Sequence, residues 1–183
     1  KSSWQIVYLG IVGYYLASLF DFVGLKYITA SLERLILFIY PTLVILISAV
    51  VYKKPIKKKY WLAIAITYVG IAIIFLPDVT TSSSNDLIKG AFLIFLSAFT
   101  YALFIAGSGD LIPKIGSNKF TAMVMSVSCL FVIMHYLIIN QLELPVIPWQ
   151  VYVIGVVLAI FCTVIPSFLI SRSINSLGAS RFA

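Results

Sequence analysis

Long runs of apolar residues, separated by short clusters of charged, Pro, Gly or Ser residues, repeat along the whole chain. A membrane's hydrocarbon core is about 30 Å thick, so a helix needs about 20 apolar residues to cross it. The runs are continuous rather than alternating with a period of two, which predicts helices and excludes a β-barrel. We therefore expect an all-α, polytopic transmembrane helix bundle. Six spans are predicted, at residues 5–25, 35–52, 60–76, 87–107, 120–139 and 151–170.

Composition supports lipid as the solvent of this chain. Hydrophobic residues make up 62% of the 183 positions and charged residues 10%, a balance that leaves too few polar side chains to cover a soluble fold. Both cysteines lie within apolar runs, where they act as small hydrophobic residues rather than as a redox or zinc motif. The net charge of +7 does not indicate nucleic acid, because the basic residues are not interleaved with stacking aromatics on a polar face.

The basic residues predict the orientation of the bundle. Five lysines lie in the loop from Lys53 to Lys59, which the positive-inside rule places in the cytoplasm. Counting alternately from that loop, ten basic residues lie inside and three outside. The polar segment 77–86 is then an external connection. We expect a multi-pass protein of the cytoplasmic membrane, with an organellar membrane as the open alternative.

A weak internal repeat links the two ends of the chain. A shift of 149 residues lays Ser18, Leu25, Ile28, Ala30 and Ser31 over Ser167, Ile174, Leu177, Ala179 and Ser180. The predicted first and sixth spans run in opposite directions, as expected for an inverted-topology repeat, an arrangement that builds many secondary transporters.

Several short motifs resemble the EamA family of the drug/metabolite transporter superfamily. They are the stretch 24–31 (Gly-Leu-Lys-Tyr-Ile-Thr-Ala-Ser), Tyr40-Pro41, the stretch 70–74 (Gly-Ile-Ala-Ile-Ile) and the stretch 177–181 (Leu-Gly-Ala-Ser-Arg). The resemblance implies ten helices built from two inverted five-helix repeats, of which this chain would be a fragment holding helices three to eight. It places three helices of the first repeat at 1–79, and three helices and the start of a fourth of the second at 80–183. Family members often carry a glutamate after the helix that holds the proline, where this chain has Tyr52-Lys53-Lys54-Pro55. The role of that glutamate is therefore in doubt here.

Asp21 is the acid that lies well inside a predicted span, about one helical turn from its end. A carboxylate at that depth needs a partner or a proton. One interpretation is a substrate or proton site facing a wet cavity. The other is a structural ion pair with Arg34, whose long side chain could reach down from the next span.

Other side chains could complete a site. Tyr14, Tyr40 and Tyr101 could give hydroxyl groups and aromatic faces to a central pocket, although helix packing is the more common use of any single buried tyrosine. Lys26, Glu33 and Arg34 flank the turn after the first span, and we expect a surface ion-pair cluster there, with a gate as the alternative.

Two prolines inside spans, Pro41 and Pro166, predict helix kinks, which could be static or could serve as bending points. His135 is alone, with no Cys or carboxylate at ligand spacing, so we predict no metal site and interpret it as a helix-interface residue. The sequence contains no phosphate-binding loop, HExxH or GxSxG motif, so we expect no cofactor and no enzyme activity.

The function expected from these features is a secondary carrier or exporter of small metabolites or drugs, with alternating access to a cavity between two inverted repeats. The alternative is a non-transporting membrane module, either an assembly partner or an intramembrane enzyme. Protons as the coupling ion and a homodimer are left open. The substrate and the direction of transport do not follow from the sequence.

Overall fold

The computed structural model describes residues 2–53, 58–75, 84–140 and 148–183, and these residues form helices without a β-strand. The all-α bundle is therefore confirmed. We number the helices by the spans they correspond to, with α7 as a short helix at the end of the chain. Their bounds are α1 Trp4–Gly24, α2 Ala30–Val50, α3 Lys58–Phe75, α4 Ser84–Ile115, α5 Ser117–Ile139, α6 Trp149–Leu177 and α7 Ala179–Phe182.

Within the described residues, five helices are long and apolar enough to cross a membrane, namely α1, α2, α4, α5 and α6. The third predicted span coincides with α3, an 18-residue helix that is not among the five. Most of the loop from Lys53 to Lys59 and of the predicted outer segment 77–86 lies outside the described residues. The predicted boundary between the repeats at 79 also falls outside them.

Helix α4 is the centre of the bundle and packs against α1, α2, α5 and α6. The small-residue stripe predicted on it, Ala98, Ala102 and Ala106, is fully buried, because small side chains allow neighbouring helices to approach closely. Gly24 of α1 and Gly90 of α4 lie at a close contact: a β-carbon on Gly24 would collide with Ile94 of α4, and one on Gly90 would collide with Ile28 in the turn after α1. By contrast, the first half of α6 is exposed along its whole length.

Three membrane helices depart from regular α-helical geometry. Helix α1 contains a π-helical segment at Ile11–Leu16, and α6 contains one at Ala159–Val164. Helix α2 is interrupted at Phe38 and Ile39, so that Pro41 falls in the first turn of its second α-helical half. Proline is tolerated in a first turn because the amide hydrogen that it lacks would have no partner there.

The predicted end of the fourth span is wrong. The apolar run ends at Gly107, whereas α4 continues to Ile115 and contains Pro113 in its last turn. The extension holds because Leu111 and Ile112 are buried in the main apolar core, which stabilises the helix past its polar stretch. Asp110, which lies beyond the predicted end of the span, is therefore part of a helix long and apolar enough to cross a membrane.

Candidate functional site

A cavity of about 360 Å³ lies where α1, α2 and α4 meet. It is lined by all four side chains predicted from the sequence as candidates for substrate binding, Tyr14, Asp21, Tyr40 and Tyr101. Tyr14 and Asp21 share a face of α1, and Tyr40 and Tyr101 reach the cavity from α2 and α4. We call it the Asp21 cavity; its other lining residues are Gly13, Ala17, Ser18, Arg34, Leu37, Phe38 and Ser97.

The Asp21 carboxylate has no ion-pair partner among the described residues. Its Oδ1 atom is buried and accepts no hydrogen bond from any of them. The Arg34 Nε atom instead lies 3.4 Å from Oε2 of Glu33. The alternative of a direct Asp21–Arg34 ion pair is therefore wrong, although Arg34 lines the same cavity. A buried carboxylate oxygen without a donor is costly in a protein interior, which makes Asp21 ready to accept a ligand or a proton.

Of the expected ion-pair cluster of Lys26, Glu33 and Arg34, the described residues form one pair, between Glu33 and Arg34. The Glu33 side chain is only 6% exposed, whereas the Arg34 side chain is 74% exposed and packs back onto it. Lys26 is exposed and forms no ion pair with the part of the chain that the structure describes. Helix α2 begins at Ala30, capped by the Thr29 hydroxyl, and Glu33 is a buried residue of its first turn.

A layer of aromatic rings closes one side of the Asp21 cavity. Phe104 of α4 is at its centre, with ring centroids 5.0 Å from Tyr14 and 6.0 Å from Tyr101. The Tyr40 and Tyr101 centroids are 5.5 Å apart, in an edge-to-face arrangement. Such spacings are those of interacting rings, so the three cavity tyrosines and Phe104 form one packed group, which we call the aromatic layer.

A second cavity, of about 330 Å³, lies toward the other end of the same helices. Asp110 of α4 lines it together with Tyr8 of α1 and Tyr52, which follows α2. We call it the Asp110 cavity; its other lining residues are Gln5, Leu9, Val51, Leu103, Gly107, Leu111 and Lys114. Burial raises the pKa of the Tyr52 hydroxyl, and the nearby Asp110 carboxylate raises it further.

The two cavities are separated by about one helical turn. On α1 their nearest lining residues are Leu9 and Gly13, four residues or about 6 Å of helix rise apart. On α4 they are Tyr101 and Leu103, next to Phe104. Phe104, at the centre of the aromatic layer, lies at the level of α4 where the two cavities come closest, and each cavity is lined by a carboxylate.

The two prolines lie beside irregular backbone. Pro41 follows the interruption of α2 and lines a separate cavity shared with Tyr40, α3 and the end of the chain. Pro166 directly follows the π-helical segment of α6. Their predicted role as bending points stays a prediction.

His135 lies at a helix interface, as predicted. Its Nδ1 atom is 2.7 Å from the Tyr15 hydroxyl, which joins α5 to α1. The Tyr14 hydroxyl interacts with the buried Ser167 side chain, and this polar contact joins α1 to α6. No group of His, Cys, Asp and Glu that could hold a metal ion occurs within the described residues.

Comparison with known proteins supports the resemblance found in the sequence. Residues 1–76 match the EamA-like transporter family, and the resemblance to that family is confirmed. Over 184 aligned residues the chain is 27% identical to an uncharacterized transporter of Bacillus subtilis strain 168, YcbK. The alignment covers 98% of this chain and 59% of that relative, so the chain spans about three fifths of the relative's length. No solved structure matches the chain. Together the matches show that this chain is similar to membrane transporters.

Proposed function

We propose that the protein is a secondary carrier of small molecules and that the Asp21 cavity is its central binding site. The observation that carries the proposal is the meeting of Asp21 with Tyr14, Tyr40 and Tyr101 in one cavity between three helices. Its volume of about 360 Å³ is in the range of small-molecule sites, which are mostly apolar with a few placed polar groups. The cavity has this character, because its polar groups are few and its other lining residues are apolar. The polar groups belong to Asp21, Arg34, Ser18, Ser97 and the three tyrosines.

The two cavities lie toward opposite ends of the same helices and would give a solute a path through the bundle. A carrier must expose its site to one side of the membrane at a time, and the aromatic layer is the barrier that would open and close. The interruption of α2 before Pro41 and the π-helical segment before Pro166 are where these helices would bend, because irregular segments lack the full ladder of backbone hydrogen bonds. With the predicted orientation, the Asp21 cavity faces outward and the Asp110 cavity faces the cytoplasm.

The geometry of the backbone supports the proposed inverted repeat, with units at 1–79 and 80–183. The π-helical segments of α1 and α6 begin at Ile11 and Ala159, 148 residues apart. Helices α2 and α7 begin at Ala30 and Ala179, 149 residues apart, which is the shift found in the sequence. The matched family segment, 1–76, falls within the proposed first unit.

The proposal is tested by flux of a mixed metabolite library into proteoliposomes, with and without a pH gradient. We expect selective uptake by the wild type and a large loss in Asp21→Asn. Asp86→Asn is the matched control, because Asp86 is an exposed acid in the first turn of α4, away from both cavities. If Asp21 also carries the coupling proton, the uptake that remains in Asp21→Asn no longer depends on the gradient.

Two outcomes would contradict the proposal. Folded wild-type protein that moves no solute in the bilayer would favour a non-transporting membrane module. Uptake that falls equally in Asp21→Asn and Asp86→Asn would remove the Asp21 cavity as the binding site while leaving transport intact.

A further inference from the structure

We infer that the transported solute is a small organic cation with an apolar body, and that the Asp110 cavity is a second site for it on the opposite side of the aromatic layer. This inference rests on the proposed carrier function. If one solute passes through both cavities, the chemistry that they share describes the solute.

Each cavity combines one carboxylate from a membrane-crossing helix with phenol rings. The Asp21 cavity contains Tyr14, Tyr40 and Tyr101, and the Asp110 cavity contains Tyr8 and Tyr52. A carboxylate attracts a cation directly, and the faces of aromatic rings attract it through their quadrupoles. The apolar walls around these groups suit a hydrocarbon body attached to the charge.

The basic residues of the two cavities are poorly placed to hold an anion instead. The Arg34 guanidinium is paired with Glu33 and largely exposed. Lys114 is exposed in the last turn of α4, one turn beyond Asp110 toward the end of the helix. At each site, an anionic group that entered as far as the carboxylate would meet a like charge, which is repulsive at low dielectric.

Gly107 lets two residues that line the Asp110 cavity pack directly against α4. A β-carbon at this position would lie 2.9 Å from a Leu9 methyl carbon and 3.2 Å from the Tyr52 hydroxyl oxygen. The absence of a side chain at Gly107 therefore brings Leu9 of α1 and Tyr52, after α2, close to the helix that carries Asp110.

The probes are benzyltrimethylammonium, a permanent cation, and 3-phenylpropionate, an anion of similar apolar body. Transport of each is measured in right-side-out and inside-out membrane vesicles, so that the solute meets one cavity first. We expect the cation to be carried and the anion not. We expect Asp110→Asn to raise the half-saturating concentration of the cation about tenfold from the cytoplasmic side, and Asp21→Asn to do so from the outer side.

Asp86→Asn is again the matched control and should change neither side. Asp110→Glu, which keeps the charge, should restore most of the affinity that Asp110→Asn loses, and this separates a charge effect from a folding defect. Transport of the anion alone, or of other library solutes but not the cation, would overturn the cation assignment and leave the carrier function standing. Equal values for Asp110→Asn and Asp86→Asn would overturn the second site. A wild type that carries no solute at all would refute the carrier function itself.

Discussion

The backbone of α1 lies very close to Phe104 of the aromatic layer at Gly13, and replacing this glycine with alanine tests whether the Phe104 ring is held rigidly. A β-carbon at Gly13 would overlap the Cβ, Cγ and Cδ2 atoms of Phe104. Phe104 is only 2% exposed. Its ring contacts those of Tyr14 and Tyr101 and is stacked with the ring of Phe120, the two ring centroids being 6.2 Å apart. The ring therefore has no free space to move into.

The expected cost follows from two opposing contributions. Adding a methyl group to a packed core costs about 1 to 3 kcal/mol, and three overlapping atoms on a fixed ring place this site in the upper part of that range. Alanine regains about 1 kcal/mol over glycine in helix propensity. We expect Gly13→Ala to lower the free energy of unfolding by about 1 to 2 kcal/mol.

The measurement is reversible unfolding in mixed micelles, titrated with denaturing detergent. Gly155→Ala is the matched control, since a β-carbon at Gly155 of α6 meets no atom within 4 Å. Phe104→Ala removes two of the three overlapping atoms, so the double variant should be more stable than the sum of the single effects by about 1 kcal/mol. If Gly13→Ala behaves like Gly155→Ala, or if the two substitutions are additive, α1 and α4 are not in fixed contact at this layer.

Two further predictions concern contacts outside the cavities. Tyr15→Phe removes the hydrogen bond to His135 and should lower the free energy of unfolding by about 0.6 kcal/mol, a typical value for such bonds between membrane helices. Tyr27→Phe, on the exposed turn, is the control and should not change the free energy of unfolding. Equal effects of the two substitutions would mean that the bond does not join α1 to α5. Thr29→Ala removes the N-cap of α2 and should lower the free energy of unfolding by about 0.5 to 1 kcal/mol in the same assay. Thr29→Ser should retain the cap and hence the wild-type stability. If Thr29→Ser lowers the stability as much as Thr29→Ala does, the hydroxyl group is not the stabilising feature.

The apolar runs alone predict most of the fold, because lipid requires each crossing segment to satisfy its own backbone. They also place Tyr14 and Asp21 on one face of α1, since the residues are seven positions, or about two helical turns, apart. The sequence does not place Tyr40 and Tyr101 against that face. Their meeting depends on how α2 and α4 pack on α1, which small-residue contacts decide in three dimensions.

Asp110 was missed for a physical reason. The stretch from Gly107 to Asp110 is polar and a proline follows at position 113, a combination that ordinarily ends a helix. The signal that could have found it is the return of apolar residues at Leu111, Ile112 and Ile115, spaced to continue one helical face. A carboxylate within that continuation lies, like Asp21, on a helix long and apolar enough to cross the membrane, and is a candidate functional residue for the same reason.

The proposed inverted repeat is supported by the backbone geometry more than by the identity of the side chains. At the shift of 149 residues, Gly13 and Tyr14 of the first π-helical segment align with Cys162 and Thr163 of the second. The residue types therefore do not indicate that the two segments are equivalent. Yet the two segments begin within one residue of that relation. A π-helical turn adds a residue to the helix and rotates the face beyond it, an uncommon feature that often lies at functional sites. Its presence in both α1 and α6, which we expect to cross the membrane in opposite directions, is what a duplicated bending element would produce. It supports a carrier in which α1 and α6 bend as a related pair, one from each repeat.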